Sequence, residues 1–320
     1  MTHYDVFNGD ADGICALTQL RLAEPREAVI VTGVKRDIEL LKQVKARAGD
    51  QVTVLDISLD KNRTDLDRVL AAGASVLYID HHFPGDSLPE HPALTTLINE
   101  AADVCTSLLV DSHLKGAFRG WAIVGAFGDN LRKSALGLAK HSGYNEDQLQ
   151  RLEDLGIYMN YNGYGSNLED LHFAPAELYE KAVCFRDPLD FICSSGGDFD
   201  KLEAGYQQDM RQAAELPPES ATATTAVFMF PDEPWARRVS GVYSNDLANN
   251  NPDRAHAILT RRKDGNYLVS VRAPLSNKTG AVDLCKQFPT GGGRAAAAGI
   301  NNLPADMLKQ FIDTFAAFYR

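Results

Sequence analysis

The first third of the chain alternates short apolar runs with longer stretches in which apolar residues recur every three or four positions. The short runs predict buried strands, and the longer stretches predict amphipathic helices. Strand–helix units of this length are joined by right-handed crossovers and build a parallel sheet. The predicted strands cover residues 3–7, 28–34, 51–57 and 75–80, and the predicted helices cover residues 13–23, 36–48 and 61–72.

The pattern changes further along the chain. Residues 104–158 are predicted to be mainly helical, whereas the stretch 158–170, rich in Asn, Gly and Tyr, is predicted to be a loop. The periodicity weakens after residue 186. Beyond it the sequence predicts strands at 224–230, 255–262 and 267–273 and helices at 281–288 and 304–319. Asp264 and Gly265 indicate a hairpin between the last two strands.

These elements predict an α/β fold with two domains. We expect a parallel-sheet N-terminal domain with flanking helices over residues 1–186, a polar linker over 187–220 and a smaller α/β C-terminal domain over 221–320. The length of 320 residues, with 44% hydrophobic and 23% charged residues, fits a globular protein of two domains.

The sequence contains no apolar run near the ~18 residues of a membrane span, and its N-terminus lacks the pattern of a signal peptide. We therefore expect a cytoplasmic protein with no membrane partner. The five cysteines are scattered and lack Cys-x-x-Cys spacing, so we expect reduced packing residues and no zinc site. The sequence leaves the oligomeric state open.

Charge is distributed unevenly along the chain. The net charge is −11, which on its own disfavours a nucleic-acid partner. Residues 221–320, however, carry 12 Lys and Arg against 8 Asp and Glu, or +4, and residues 1–220 carry 20 against 35, or −15. An acidic half that gathers carboxylates around cations, beside a basic half, is compatible with an anionic substrate.

Acidic residues follow the predicted strands of the first domain. Ligands of an open parallel sheet bind at the carboxyl ends of the strands, so these side chains are expected at one edge. Packed carboxylates repel unless cations lie between them, and oxygen ligands with one imidazole suit Mn²⁺ or Mg²⁺ better than zinc. A single Asp after a strand is often only a helix N-cap, so the prediction depends on their joint placement. The residues concerned are Asp10, Asp12, Asp56, Asp80 and His81, and a later Gly-rich segment adds Asp129.

Six short motifs in this order resemble the DHH phosphoesterase superfamily with its associated C-terminal domain. The motifs are NGDADG (8–13), LDIS (55–58), YIDHH (78–82), GAFGDN (125–130), SVRAP (270–274) and GGGRAAAAG (291–299), and they span nearly the whole chain. The resemblance implies two Mn²⁺ or Mg²⁺ ions held by Asp10, Asp12, Asp56, Asp80, His81 and Asp129. It also places His82 at the second histidine of the signature, which faces the substrate phosphate.

The sequence departs from this family in two places. Many members have a histidine shortly before the first aspartate pair, where this chain has Val6, Phe7 and Asn8. RecJ-like members also lack this histidine, so the resemblance still implies the metal centre, and the departure bears only on the affinity of one of its two sites. Arg294 follows the triple glycine, where a histidine is common in the family, and it indicates a different substrate preference.

The expected chemistry needs no protein nucleophile. Two cations about 3.5–4 Å apart activate a water molecule and stabilise in-line attack at phosphorus. Asp80 is expected to hold or bridge the ions, and His82 to donate a hydrogen bond to the phosphate or to protonate the leaving group.

The second domain is expected to bind the substrate. The backbone N–H groups of Gly291, Gly292 and Gly293 can approach an anion, and Arg272 and Arg294 can bind phosphate or carboxylate bidentately. Alternatively, the glycines form only a turn and Arg272 is a solvated strand residue.

The leading hypothesis is a two-metal phosphodiesterase that hydrolyses short single-stranded oligonucleotides or dinucleotides, like an exonuclease or a nanoRNase. RecJ-like exonucleases carry a further nucleic-acid-binding domain, and this sequence ends at Arg320 without one, so we expect short substrates. A cyclic-dinucleotide or other signalling-nucleotide phosphodiesterase is the nearest alternative. A catalytically silent metal- or nucleotide-binding regulatory module is a third, which the complete set of matching ligands disfavours. DNA and RNA both remain possible substrates.

Overall fold

The computed structural model describes residues 1–140, 142–194 and 196–320. The chain divides into two compact units, Met1–Ala204 and Gly205–Arg320. The division falls inside a long helix, Asp198–Glu215, so most of the segment expected to be a linker has regular structure. The domain limits drawn from the sequence, 1–186 and 221–320, stay predictions.

The first unit contains a sheet of five parallel strands in the order β2-β1-β3-β4-β5. This arrangement confirms the predicted parallel sheet. The sequence did not predict β5. Its side chains are at most partly buried, and its sequence lacks the apolar run that marks a central strand. The strands are β1 (His3–Phe7), β2 (Val29–Val31), β3 (Gln51–Leu55), β4 (Ser75–Asp80) and β5 (Leu94–Ile98).

Helices pack on this sheet and follow it along the chain. They are α1 (Ala11–Ala23), α2 (Leu59–Ala71), α3 (Thr106–His113), α4 (Arg119–Gly128), α5 (Arg132–Ala139), α6 (Glu146–Asn162), α7 (Pro175–Ala182), α8 (Pro188–Ser194) and α9 (Asp198–Glu215). Local sequence explains where two of these helices begin. Asn145 and Gln148 form a capping box at the N-terminus of α6, and Pro175 is the first residue of α7.

Two predictions in this unit were wrong. The helix expected over 36–48 forms only a short 3-10 turn, Leu40–Gln43, because Asp37 accepts a hydrogen bond from the Val34 N–H and closes a local turn instead. The loop expected over 158–170 starts only after Asn162. Tyr158 and Tyr161 belong to α6 and have buried side chains.

A buried ion pair fixes α1 on the sheet. Arg21, near the end of α1, donates from Nε to Oδ2 of Asp5 on β1 at 2.7 Å and from Nη2 to Oγ1 of Thr53 on β3 at 3.1 Å. All three side chains are buried. Because α1 is held at its far end, its N-terminus lies at a defined place above the carboxyl edge of the sheet.

The second unit contains a mixed six-stranded sheet in the order β10-β11-β9-β8-β7-β6. Strands β7 and β8 are parallel, and α10, which the sequence did not predict, connects them. Strands β8 and β9 form the predicted antiparallel hairpin. The elements are β6 (Ser220–Ala221), β7 (Thr225–Phe230), α10 (Pro234–Asn250), β8 (Ala255–Arg261), β9 (Tyr267–Arg272), α11 (Ala281–Cys285), β10 (Gly291–Gly293), β11 (Ala297–Leu303) and α12 (Leu308–Phe318).

The α/β fold class predicted from the sequence is confirmed in both units. Among the helices of the described residues, none combines the length and the apolar character needed to cross a bilayer.

Candidate metal centre

The predicted acidic residues of the first unit lie where strands and one helix end. Asp10 is the N-cap of α1 just after β1, Asp56 follows β3, and Asp80 is the last residue of β4. Asp129 comes directly after α4. Asp10, Asp12, Asp56 and Asp80 are each at most 4% exposed, an unusual degree of burial for carboxylates.

Asp10 and Asp12 both accept hydrogen bonds from helix N-termini. Oδ1 of Asp10 accepts from the N–H groups of Asp12 and Gly13 at 3.0 and 3.1 Å, as an N-cap does. Both oxygens of Asp12 accept from the start of α3: the Thr106 N–H at 2.7 Å, the Ser107 N–H at 2.8 Å and the Ser107 hydroxyl at 2.5 Å. Both carboxylates therefore have a structural role at a helix N-terminus, and metal binding by these two residues stays a prediction.

Asp56 has a left-handed backbone, with φ of 60°, which side chains other than glycine adopt rarely. Its N–H donates to the Ile79 carbonyl at 3.1 Å, and the Thr106 hydroxyl donates to its Oδ1 at 3.2 Å. This conformation turns the Asp56 carboxyl group toward the end of β4 and the start of α3, among the other carboxylates.

His81 presents a free ring nitrogen to two carboxylates. Its Nδ1 lies 2.9 Å from the carbonyl oxygen of Val104, and since a carbonyl only accepts, Nδ1 carries the proton. The other nitrogen, Nε2, lies 3.5 Å from Oδ1 of Asp56 and 3.8 Å from Oδ2 of Asp129. A backbone bond of this kind is the usual way in which proteins orient a metal-binding imidazole.

His82 pairs with Asp80. Its Nδ1 lies 2.7 Å from Oδ1 of Asp80, and its side chain is 38% exposed. Burial lowers the pKa of His82, whereas the hydrogen bond and the charge of Asp80 raise it. The upward effects together are larger, so the pKa of His82 lies above its usual value. A protonated His82 can donate from its outer nitrogen to a phosphate oxygen or to a leaving group.

Two carboxyl groups of the cluster have raised pKa values, because each is desolvated and lies near other acids. Burial, followed by the charges of Asp10 and Asp12, raises the pKa of Asp56 well above its usual range. Burial and the charge of Asp12 likewise raise the pKa of Asp129 to about 6. Oδ2 of Asp80 is buried and has no hydrogen-bond partner among the described residues.

This donor set fits a divalent cation. Donor atoms of Asp56, His81 and His82 lie within 4.8 Å of one another. Carboxylate oxygens with an imidazole nitrogen suit Mn²⁺ or Mg²⁺. The assignment of the six predicted ligands, one by one, stays a prediction.

The sequence analysis missed three side chains at this site. Thr106 and Ser107 hold Asp12 and Asp56 from the start of α3, and Lys35 contacts Asp10 from the segment after β2. Lys35 follows a strand of the same sheet, which was the available signal. A search for carboxylates and imidazoles does not select an ammonium group.

The residues expected to bind substrate lie in the second unit. Arg272, at the end of β9, donates from Nε to Asn245 at 2.8 Å and from Nη1 to the Ser270 hydroxyl at 3.1 Å, so it is held by the fold. Arg294 is exposed, and its backbone N–H donates to the Ala297 carbonyl at 2.8 Å.

The triple glycine is a strand and not the expected loop. Gly291–Gly293 form β10, paired antiparallel with β11. Packing explains two of the glycines: a Cβ on Gly291 would lie 1.8 Å from the Cys285 carbonyl oxygen, and one on Gly293 would lie 2.5 Å from the Cα of Ala298. Gly293 also has φ of 137°. A Cβ on Gly292 would meet open space, so anion binding by this segment stays a prediction.

Comparison with solved structures identifies the fold. The chain aligns over 99% of its length with a DHH domain described as a member of a family of ribosomal proteins, with a TM-score of 0.69, 14% identity and 86% of that chain covered. It aligns over the same share of its length with RecJ from Thermus thermophilus in complex with Mn²⁺, with a TM-score of 0.66, 17% identity and 52% of that chain covered. A third match is the pGpG-specific phosphodiesterase PggH from Vibrio cholerae, with a TM-score of 0.56, 15% identity and 100% of that chain covered.

The chain therefore has the fold of the DHH-domain proteins, and the resemblance predicted from its motifs is confirmed. It spans about half the length of RecJ. No family model and no curated protein matches the sequence itself.

Proposed function

We propose that the chain is a divalent-metal-dependent phosphodiesterase that hydrolyses dinucleotides or short single-stranded oligonucleotides. The observation that carries this proposal is the cluster of buried Asp56 and Asp80 with partly buried Asp129, in which Nε2 of His81 faces two of the carboxylates. Such a cluster is costly without a cation. A bound divalent ion would supply activation of the attacking water and neutralisation of the phosphate charge.

The protein's own groups complete the chemistry. Asp80 holds His82 by its Nδ1, so that the outer nitrogen of His82 is available as a hydrogen-bond or proton donor. Arg294, exposed in the second unit, is the candidate for binding a phosphate or the far end of the substrate, with Arg272 as a more constrained second cation.

The structural neighbours support a nucleotide substrate. PggH is a pGpG-specific phosphodiesterase by its description, and RecJ was solved with Mn²⁺. The choice of a short, linear substrate goes beyond the likeness of fold and belongs to the proposal.

The test is turnover of a substrate panel with and without Mn²⁺. Linear dinucleotides, single-stranded 24-mers and cyclic dinucleotides would each be incubated with chelator-treated protein before and after Mn²⁺ is added. We expect Mn²⁺-dependent hydrolysis of the linear dinucleotide. Preferred cleavage of the cyclic compound would favour a signalling phosphodiesterase, and binding without cleavage would favour a silent regulatory module.

Asp80→Asn is the matched variant for this assay. It keeps the shape of the side chain but removes the charge beside His82, so turnover should fall by several orders of magnitude while the circular dichroism spectrum stays unchanged. Hydrolysis by Asp80→Asn at the wild-type rate would contradict the proposed site.

A further inference from the structure

Lys35 occupies the free side of Asp10. Its ammonium group lies 2.5 Å from Oδ2 of Asp10 and 2.8 Å from Oδ1 of Asn160. The ring of Tyr164 lies beside it, with the ammonium nitrogen 5.2 Å from the ring centroid. The cation thus has an anionic partner at the start of α1 and a polar and an aromatic partner at the end of α6.

The backbone of Lys35 is fixed on both sides. Its N–H donates to the Gly163 carbonyl at 2.9 Å, and its own carbonyl accepts from Nδ2 of Asn8 at 3.2 Å. Its side chain is only 22% exposed. Lys35 is therefore a built component of the centre, unlike the mobile lysines of a protein surface.

Both oxygens of Asp10 are engaged. Oδ1 accepts the two backbone N–H bonds of the α1 N-terminus, and Oδ2 accepts from Lys35. A divalent ion on Oδ2 would lie beside the ammonium, where like charges repel.

Among the described residues just before Asp10, none is a histidine that could supply an imidazole where the Lys35 ammonium lies. Val6 and Phe7 are fully buried and apolar, and Asn8 is turned toward the Lys35 carbonyl. The cluster of Asp56, His81 and Asp129, by contrast, has a ring nitrogen available between two carboxylates.

We propose that the ammonium group of Lys35 takes the place of one of the two cations expected at this centre. The chain then binds one divalent ion, near Asp56, His81 and Asp129, and none on Asp10. This inference rests on the proposed function, because it concerns the cations of the same site. It replaces the two-ion centre implied by the family resemblance with one metal ion and one lysine.

Metal stoichiometry on the full chain tests the inference directly. Chelator-treated protein is titrated with Mn²⁺ by isothermal calorimetry and equilibrium dialysis, and the bound ion is examined by electron paramagnetic resonance. We expect one Mn²⁺ per chain with the hyperfine pattern of an isolated ion. Two ions per chain with an exchange-coupled spectrum would overturn the inference and leave the proposed function standing. No bound ion would instead contradict the metal-dependent function itself.

Lys35→Met tests the cause. Methionine keeps the length of the side chain but leaves Asp10 without its cation, so we expect the stoichiometry to rise from one Mn²⁺ to two. Lys35→Arg keeps the charge and should remain at one, as should the surface control Lys42→Met, whose lysine pairs with Glu39 away from the centre. A folded Lys35→Met that still binds a single ion would overturn the proposal, and Lys35→Arg with two ions would do so even if Lys35→Met failed to fold.

Discussion

Asp56 combines two conformational and electrostatic costs in one residue. Its left-handed backbone is one that few side chains tolerate, at a cost of about 1–3 kcal/mol. Its carboxyl group is 2% exposed and lies among other acids, which with burial raises its pKa well above the usual range. Both costs are consistent with the predicted role of Asp56 as a cation ligand, because a bound cation would offset the second of them.

Asp56→Asn should therefore stabilise the metal-free protein. An acid whose pKa is raised in the folded state makes the protein less stable at pH values above the ordinary pKa of that acid, so at pH 7 the Asp56 carboxyl group is a cost that asparagine removes. We expect the melting temperature in chelator to rise by about 2–4 °C, the shift that about 1 kcal/mol produces at this domain size. The stabilisation that Mn²⁺ gives the wild type should be lost in the same variant.

Differential scanning calorimetry with chelator and with Mn²⁺ measures both effects. Asp67→Asn, on the exposed face of α2, is the control and should change neither. A lower melting temperature of Asp56→Asn in chelator would mean that the Asp56 carboxylate serves a structural bond and not a cation.

The sequence predicted the acidic side of the centre because strand ends have a sequence signature. Asp56 and Asp80 follow apolar runs, and parallel strands bring such positions to one edge. It did not predict Lys35, because the contact with Asp10 depends on an irregular segment after β2 and on Asn160 from α6. A contact that depends on an irregular segment leaves no periodic pattern in the sequence from which it could be predicted.

At the level of elements, the N-terminus of α3 is part of the centre. Its first N–H groups, from Thr106 and Ser107, have no partner within the helix and donate to the carboxylate of Asp12. An anion at a helix N-terminus is also favoured by the helix dipole. Asp12 thus fixes α3 against α1 whether or not a metal is present.

Asp12→Ala should consequently have the opposite effect to Asp56→Asn. It leaves two buried N–H groups of α3 unpaired, and we expect the free energy of unfolding in chelator to fall by about 1–3 kcal/mol. Ser107→Ala removes only the hydroxyl bond and should cost about 1 kcal/mol. Urea unfolding followed by circular dichroism compares the two; unchanged stability of Asp12→Ala would show that Asp12 is held for metal binding alone.

The failed predictions also belong to this level. The helix expected over 36–48 does not form, because the Asp37 side chain closes a local turn that competes with it. Apolar periodicity does not detect such a turn. The triple glycine was expected to form an anion-binding nest or a turn, but it pairs as β10, where the close approach of Cys285 and Ala298 admits nothing larger than glycine at two positions.

At the level of the whole molecule, the predicted metal ligands and the predicted substrate-binding arginines are divided between the two units. The predicted metal ligands all belong to Met1–Ala204, and Arg272 and Arg294 belong to Gly205–Arg320. The charge is also uneven along the chain, with −15 over residues 1–220 and 12 Lys and Arg against 8 Asp and Glu over residues 221–320. An anionic substrate is repelled by the first part unless cations and the second part attract it.

A fragment of residues 1–215 should therefore keep the metal and lose the substrate. Ending after α9 retains Phe199, whose ring lies 5.6 Å from that of Tyr158, so the packing of α9 on α6 is preserved. We expect Mn²⁺ affinity equal to that of the full chain, because the predicted ligands are all present.

The kcat/KM of the fragment for a dinucleotide should fall at least as far as that of full-length Arg294→Ala. Loss of a bidentate bond of about 1.5–3 kcal/mol in that variant predicts a decrease of about 10- to 150-fold. Arg294→Lys should recover part of this loss, since an ammonium keeps the charge but not the planar fork, and Arg261→Ala, at an exposed arginine of the same unit, should stay near the wild type. If the fragment cleaves with an unchanged KM, the second unit does not bind the substrate and the arginines there serve the fold alone.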